Sequence, residues 1–175
     1  MLYKASLRDL LMYLIANDAF QGKWSTDIHN EWTKHLIESG KEKSKVLRTK
    51  SFMDSNFPEA IVKNYRPLIK KLSLPDQDDR HVLAVAIKSN AEYIITENLK
   101  DFSKKHLPEN IKAISPDDFL TYLSSVKSYE VLSGVKAHRG SLKNPPFTPK
   151  EYVQARKKQG LIGFSNFLTD HHFMI

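Results

Sequence analysis

Three aspartates fall within four residues of Leu74-Pro75-Asp76-Gln77-Asp78-Asp79-Arg80-His81, at the head of the apolar run Val82-Leu83-Ala84-Val85-Ala86-Ile87. Acids are favoured at helix N-termini, so Asp76 or Asp78 alone would read as a cap. Three crowded carboxylates repel one another unless a cation or a proton compensates. Arg80 and His81 offer part of that charge, and a bound metal ion would supply the rest. A second group, Thr96-Glu97-Asn98-Leu99-Lys100-Asp101-Phe102, follows the β-branched run Tyr93-Ile94-Ile95-Thr96. Ligands of parallel α/β sheets gather at the carboxyl ends of strands, where Asn98 and Asp101 would offer two more oxygens. The same residues also suit a simple Asx turn leaving a strand. Glu31 lies at the border of the apolar stripe Ile28, Trp32, Leu36, ordinarily a solvated position.

The elements that must position these groups are legible from periodicity. Leu7, Leu10, Leu11, Leu14 and Ile15 repeat at helical spacing, predicting a helix over 6–19 that Gly22 stops. Ser25 caps a second helix that ends at Gly40. Residues 41–54 read as a polar helix or helical loop, 57–64 as a short helix, and Pro67 as the end of that region. A helix is predicted over 76–89, its interior apolar enough to be buried on more than one side, with Asn90 as a left-handed stop. Strands follow at 93–96 and 111–114, both suited to a buried parallel sheet. Ser115-Pro116-Asp117-Asp118 carries the signature of a helix start. Thr148-Pro149-Lys150-Glu151 is a capping box opening a helix to about 159, and an amphipathic piece spans 161–173. Helix–strand–loop–strand–helix in this order indicates an α/β three-layer arrangement.

Charge is distributed unevenly. Residues 33–71 carry ten basic and four acidic side chains, residues 126–160 carry eight and two, and residues 72–125 carry six and nine. An acidic centre flanked by basic stretches suits a polyanion held over metal ions. The candidate phosphate contacts are Lys34, Lys41, Lys43, Lys45 and Arg48, or Arg156, Lys157 and Lys158. The absence of cysteine excludes disulfides, thiolate metal sites and a cysteine nucleophile. No apolar run is long enough to span a membrane and no signal peptide is recognisable, so a cytoplasmic protein is expected.

Taken together, Leu7-Arg8-Asp9-Leu10-Leu11, Glu31-Trp32, Asp78-Asp79-Arg80-His81-Val82-Leu83-Ala84 and Thr96-x-Asn98-Leu99-Lys100-Asp101-Phe102 resemble the PIN-domain nucleases of the VapC-like toxin type. The carboxyl-terminal part, with Pro145-Pro146, Thr148-Pro149-Lys150-Glu151 and a terminal helix, is similar to an extension carried by one subgroup. The resemblance implies an α/β fold, a three-layer PIN-like parallel sheet of four or five strands flanked by helices. It implies a PIN domain over 1–125 and a helical extension over 126–175. It further implies a metal-dependent endoribonuclease of a toxin–antitoxin system, hydrolysing RNA phosphodiester bonds with Mg²⁺ or Mn²⁺. The implied partners are the RNA substrate, a cognate antitoxin protein that blocks the site, and a second copy of the chain in a homodimer. Carried over by position, Glu31, Asp79, Asn98 and Asp101 would be the catalytic, metal-site residues and converge in one cleft. Asp76, Asp78, Arg80, His81 and Thr96 would support them. Members of the family begin with a strand ending in an aspartate, which here would fall ahead of the opening Met1-Leu2-Tyr3. The expectation that follows is a late start or a truncated form that folds poorly by itself. The alternative function is then a catalytically inactive PIN-fold module that binds antitoxin or RNA.

Overall fold

The computed structural model describes residue 2 and residues 4–175; Met1 and Tyr3 of the apolar opening segment lie outside the described residues. In chain order the helices are α1 Ala5–Ala16, α2 Thr26–Glu38, α3 Lys43–Asn56, α4 Arg66–Ile69, α5 Arg80–Lys88, α6 Pro116–Val126, α7 Ser128–Ser141, α8 Pro149–Lys158 and α9 Ile162–Asp170. The strands are β1 Tyr93–Ile95 and β2 Lys112–Ile114. The chain forms two compact units, each drawing on two stretches of sequence. One takes the residues up to Lys4 and Gly22–Ile114; the other takes Ala5–Gln21 and Ser115–Ile175. These units cut the chain differently from the expected boundary at 125, because α1 and α6 share a unit with α7, α8 and α9.

In the first unit the Ser25 hydroxyl accepts the Ile28 N–H at 3.3 Å and starts α2, and Gly40, at φ 87°, ends the region as expected. Pro67 does not end its region: it sits in the first turn of α4, where a missing N–H leaves no helical bond unmade. The expected helix over 57–64 is reduced to a single 3₁₀ turn, Pro58–Ala60. The strands β1 and β2 pair in parallel, Tyr93 with Lys112, Ile94 with Ala113 and Ile95 with Ile114. Among the described residues this sheet has two strands, not the four or five expected; one isolated parallel bridge, Trp24 with Ile61, adds to the strand-like pairing of this unit.

Helix α5 holds the first unit together, and its composition explains how. Leu83 and Ala86 turn toward Leu74, Ile94, Phe102 and Ile111. Ala84 and Val85 turn the other way, toward Tyr65, Ile28, Leu68 and Ile69. A helix with one apolar stripe could serve only one of these clusters. Burying a residue such as Leu83 stabilises the fold by about 2 kcal/mol. Asn90, at φ 53°, stops the helix in the left-handed conformation, and the chain turns into β1.

The second unit is helical. Leu7, Leu10, Leu11 and Leu14 of α1 are all buried. The helix stops at Asp18, in the left-handed region at φ 58°, ahead of the expected Gly22. Aspartate tolerates this conformation better than most side chains. Helix α7 approaches α1 at Gly134, where a Cβ would stand 2.9 Å from the Leu14 side chain. The capping box at Thr148 and Glu151 forms on α8 as expected. Arg156, expected among the surface cations, is 3% exposed. Its guanidinium lies 4.8 Å from the centre of the Tyr152 ring and donates to the Ser6 carbonyl at 3.3 Å, so it is unavailable to a phosphate. Among the described residues no helix is long and apolar enough to cross a membrane.

Candidate metal centre

The acidic segment is not the first turn of α5. Asp76–Asp79 form turns ahead of a helix that begins at Arg80. Asp79 occupies the N-cap position, but its backbone is helical, at φ −76° and ψ −8°, and its side chain makes no capping bond. The Asp76 carboxylate accepts the Asp78 N–H at 2.8 Å, an Asx turn that folds the segment back on itself. With Asp79 released from capping, one carboxylate oxygen each of Asp76, Asp79 and Asp101 lies within 4.8 Å of the others.

Asp101 reaches the cluster from the loop after β1. The Thr96 hydroxyl accepts the Asn98 N–H at 3.0 Å, so the loop turns as it leaves the strand. Asn98 then points its amide nitrogen between two carboxylates, 2.5 Å from Asp101 and 3.4 Å from Asp79. That NH₂ group stands where a cation would be expected, and turning the amide over would present its oxygen instead.

Burial, reinforced by the charges of Asp76, Glu31 and Asp101 and only partly offset by His81, pushes the Asp79 carboxyl above its ordinary range. Glu31 therefore acts on Asp79 electrostatically while lying outside the set of three. Its Oε2 stands 3.5 Å from His81 Nε2. The interaction with His81 holds the Glu31 carboxyl below its usual range, against the opposing effect of burial. Burial alone would lower His81, but Glu31 and the Asp78 carbonyl outweigh it and raise its pKa. The Asp78 carbonyl accepts His81 Nδ1–H at 2.6 Å, while the Asp78 side chain is exposed. Arg80 turns to Gln77, donating to its main-chain carbonyl at 2.8 Å and approaching its side-chain oxygen at 3.4 Å.

Of the residues expected from sequence to converge, Asp79, Asn98 and Asp101 meet, and Glu31 approaches them through His81. Asp76, expected to support the site, contributes a carboxylate to the cluster. The Asx turn that brings it there is the signal that places it, since Pro75-Asp76 opens a turn as readily as a helix.

A further polar cluster ties α2 to α3. The His29 ring bonds Asp54 through Nε2 at 2.8 Å and accepts from Trp32 Nε1 at 2.8 Å. Trp24 Nε1 and Lys50 also donate to Asp54, at 3.1 and 2.9 Å. His29 is 2% exposed and satisfied on both nitrogens, which makes this a fixed joint on the helix that carries Glu31. On the exposed side of α3 lie Lys43, Arg48, Leu47 and Phe52, the last 61% exposed.

Residues 1–100 match the family described as PIN domain, and residues 116–170 match the family described as VapC50 C-terminal domain. The chain is 43% identical over 88 residues to a protein of Mycobacterium tuberculosis named "Putative ribonuclease VapC50". The alignment covers 46% of this chain and 48% of that protein, so the match spans about half the length of the relative. No solved structure matches the chain.

Proposed function

The chain belongs to the PIN-domain family, and from that premise we propose that it is a metal-dependent endoribonuclease, the toxin of a toxin–antitoxin pair. The observation that carries the reading is the meeting of Asp76, Asp79 and Asp101 around the Asn98 amide, with Asp79 taken out of capping.

The donor set fits Mg²⁺ or Mn²⁺. It consists of hard oxygens with no sulfur, and two oxygens sharing one Mg²⁺ stand at most about 4 Å apart. One oxygen from each carboxylate lies within 4.8 Å of the others, close to that spacing. Asp79 and Asp101 would hold the ion, Asp76 would flank it, and Asn98 would contribute its oxygen once turned over. Glu31 would add negative charge from α2. When bound, the metal lowers the pKa of a water and stabilises charge gathering on the phosphate. The chain's own residues do the rest: Thr96 fixes the loop that carries Asp101, and the α5 core keeps the turn rigid.

RNA would be held by exposed cations. Lys34 and Lys45 are engaged with Glu38 and Glu42, at 3.8 and 2.9 Å. Lys41, Lys43 and Arg48 are exposed, and Phe52, one turn after Arg48 on α3, offers an exposed ring for base stacking. Each phosphate contact contributes about −0.7 to the log–log salt slope for a single strand.

The test is cleavage of single-stranded RNA with Mg²⁺ or Mn²⁺, followed by chelation, with binding measured across salt concentrations. Cleavage that stops with chelator and binding that weakens with salt support the reading. Cleavage that persists in chelator and in an Asp79→Asn/Asp101→Asn double variant would sink it. RNA binding with no cleavage at any metal concentration would make the chain a binding module instead.

A further inference from the structure

We propose that His81 is a positioning residue that aims the Glu31 carboxylate at the acidic centre, an inference that rests on the metal-site reading above. Glu31 projects from α2 with its side chain 61% exposed. A glutamate in that position samples many rotamers, so a fixed direction requires something to hold it. Among the described residues the group that meets its carboxylate is His81.

The imidazole is itself held from the other side. Its Nδ1–H donates to the Asp78 carbonyl at 2.6 Å. A carbonyl only accepts, so this bond settles which ring nitrogen faces the turn and which faces α2. The side chain of His81 is 14% exposed, and Nε2 is shielded from solvent with no formed hydrogen bond. The Glu31 oxygen 3.5 Å away is the group it is placed to engage.

Two further features confine the carboxylate. Asp27, one turn earlier on α2, is hydrogen-bonded by Arg66 at 2.7 Å and by the Tyr65 hydroxyl at 2.6 Å and acts on the imidazole through its charge, leaving Glu31 as the acid of α2 that stands against Nε2. Trp32, beside Glu31, is 3% exposed and bonded to His29, which sets the rotation of α2 about its axis. The result is a relay of positions. The backbone of the turn that carries Asp76 and Asp79 holds the ring, and the ring holds a carboxylate from another helix. Second-sphere partners of metal ligands often act in this way, and their loss weakens metal binding about tenfold or more.

The experiment compares His81→Gln, His81→Asn and His81→Ala with the unaltered chain, reading Mn²⁺ affinity by calorimetry and RNA cleavage as kcat and KM. Glutamine places its amide near the position of Nε2 and can reach Glu31; asparagine places it near Nδ1 and reaches only the Asp78 carbonyl. His81→Ala and His81→Asn are expected to weaken Mn²⁺ binding about tenfold, with RNA KM changed less than about threefold. His81→Gln is expected to recover most of the affinity. Glu31→Gln added to His81→Ala is expected to cost little more, because the two act as one unit. Thermal melts accompany each variant, and the surface change Glu31→Gln reads the same link where a ring substitution disturbs folding. Full affinity in His81→Asn, no recovery in His81→Gln, or additive losses in the double variant would overturn the positioning role alone. An unaltered chain that binds no Mn²⁺ would overturn the metal-site reading together with it.

Discussion

Two segments of this chain are built from similar ingredients and end in opposite situations. Asp76-Gln77-Asp78-Asp79 precedes α5, and Ser115-Pro116-Asp117-Asp118 opens α6. At α6 every acid is used by the main chain or by a hydroxyl. The Ser115 hydroxyl accepts the Asp118 N–H at 3.1 Å and donates to the Asp118 carboxylate at 2.7 Å. The two oxygens of Asp117 accept the N–H groups of Gly163 and Phe164 at 2.9 and 3.0 Å, satisfying the start of α9 from outside. At α5 the N-cap aspartate caps nothing, and Asp76 satisfies one N–H of its own turn. The carboxylates there face one another and an amide. Acids at a helix start are therefore engaged by the main chain where N–H groups from elsewhere converge on them and left largely to one another where they do not. Helix α5 tolerates the missing cap because it is buried on two sides.

The sharpest way to break this contrast is one isosteric change made at both places. Asp79→Asn is expected to lower metal-dependent RNA cleavage at least about a hundredfold, since it removes a ligand charge from the centre. Asp117→Asn should leave Mn²⁺ affinity within about twofold. Comparable losses of Mn²⁺ affinity in the two variants would show that the acids before α5 have no special role.

Stability should respond in the opposite sense. Asp117→Asn replaces one of two charge-assisted acceptors with a donor facing an N–H, and a loss of about 2 kcal/mol is expected by urea denaturation. A loss below about 0.5 kcal/mol would mean that Asp117 does not secure α9.

For Asp79→Asn in metal-free protein a gain in stability is expected at neutral pH, read by urea denaturation. The sign follows from linkage. A carboxyl whose folded pKa is raised is most stabilising when protonated, and that contribution is lost as pH rises through the folded pKa. Burial and the neighbouring acids raise Asp79 above 3.8, so at neutral pH its charge opposes folding. The advantage of asparagine should be present at neutral pH and fade as pH falls through the unfolded value of 3.8, below which the aspartate is neutral in both states. Saturating Mn²⁺ should reverse the order of the melts. A variant less stable than the parent without metal would show that the acidic cluster is not under repulsion.

The smallest effect belongs to Asp78→Ala. The Asp78 side chain is exposed, and the segment uses its carbonyl instead. Stability should change by less than about 0.5 kcal/mol. A larger effect on Mn²⁺ affinity than Asp76→Asn would exchange the places of these two residues in the site.

Much of the scaffold is a local property of the sequence. The caps at Ser25, Ser115 and Thr148 and the left-handed stop at Asn90 follow from side chains acting on their own or adjacent backbone, at distances of a few residues, and the apolar runs of α5, β1 and β2 mark segments that must find a partner elsewhere. Asp79, Asn98 and Asp101 were singled out by the resemblance to PIN-domain nucleases, since local chemistry alone offered only polar groups at a helix start and an Asx turn after a strand. Tertiary structure decided what local chemistry leaves open. It took Asp117 into a bond with residues 46 and 47 positions away, withdrew Arg156 from the surface, set Asp101 beside Asp76 and Asp79, and brought Glu31 to His81. Each of these outcomes depends on which donor arrives from a distant element. A carboxylate carries the same charge wherever it stands, and only the packing determines whether an N–H, an imidazole or another carboxylate meets it.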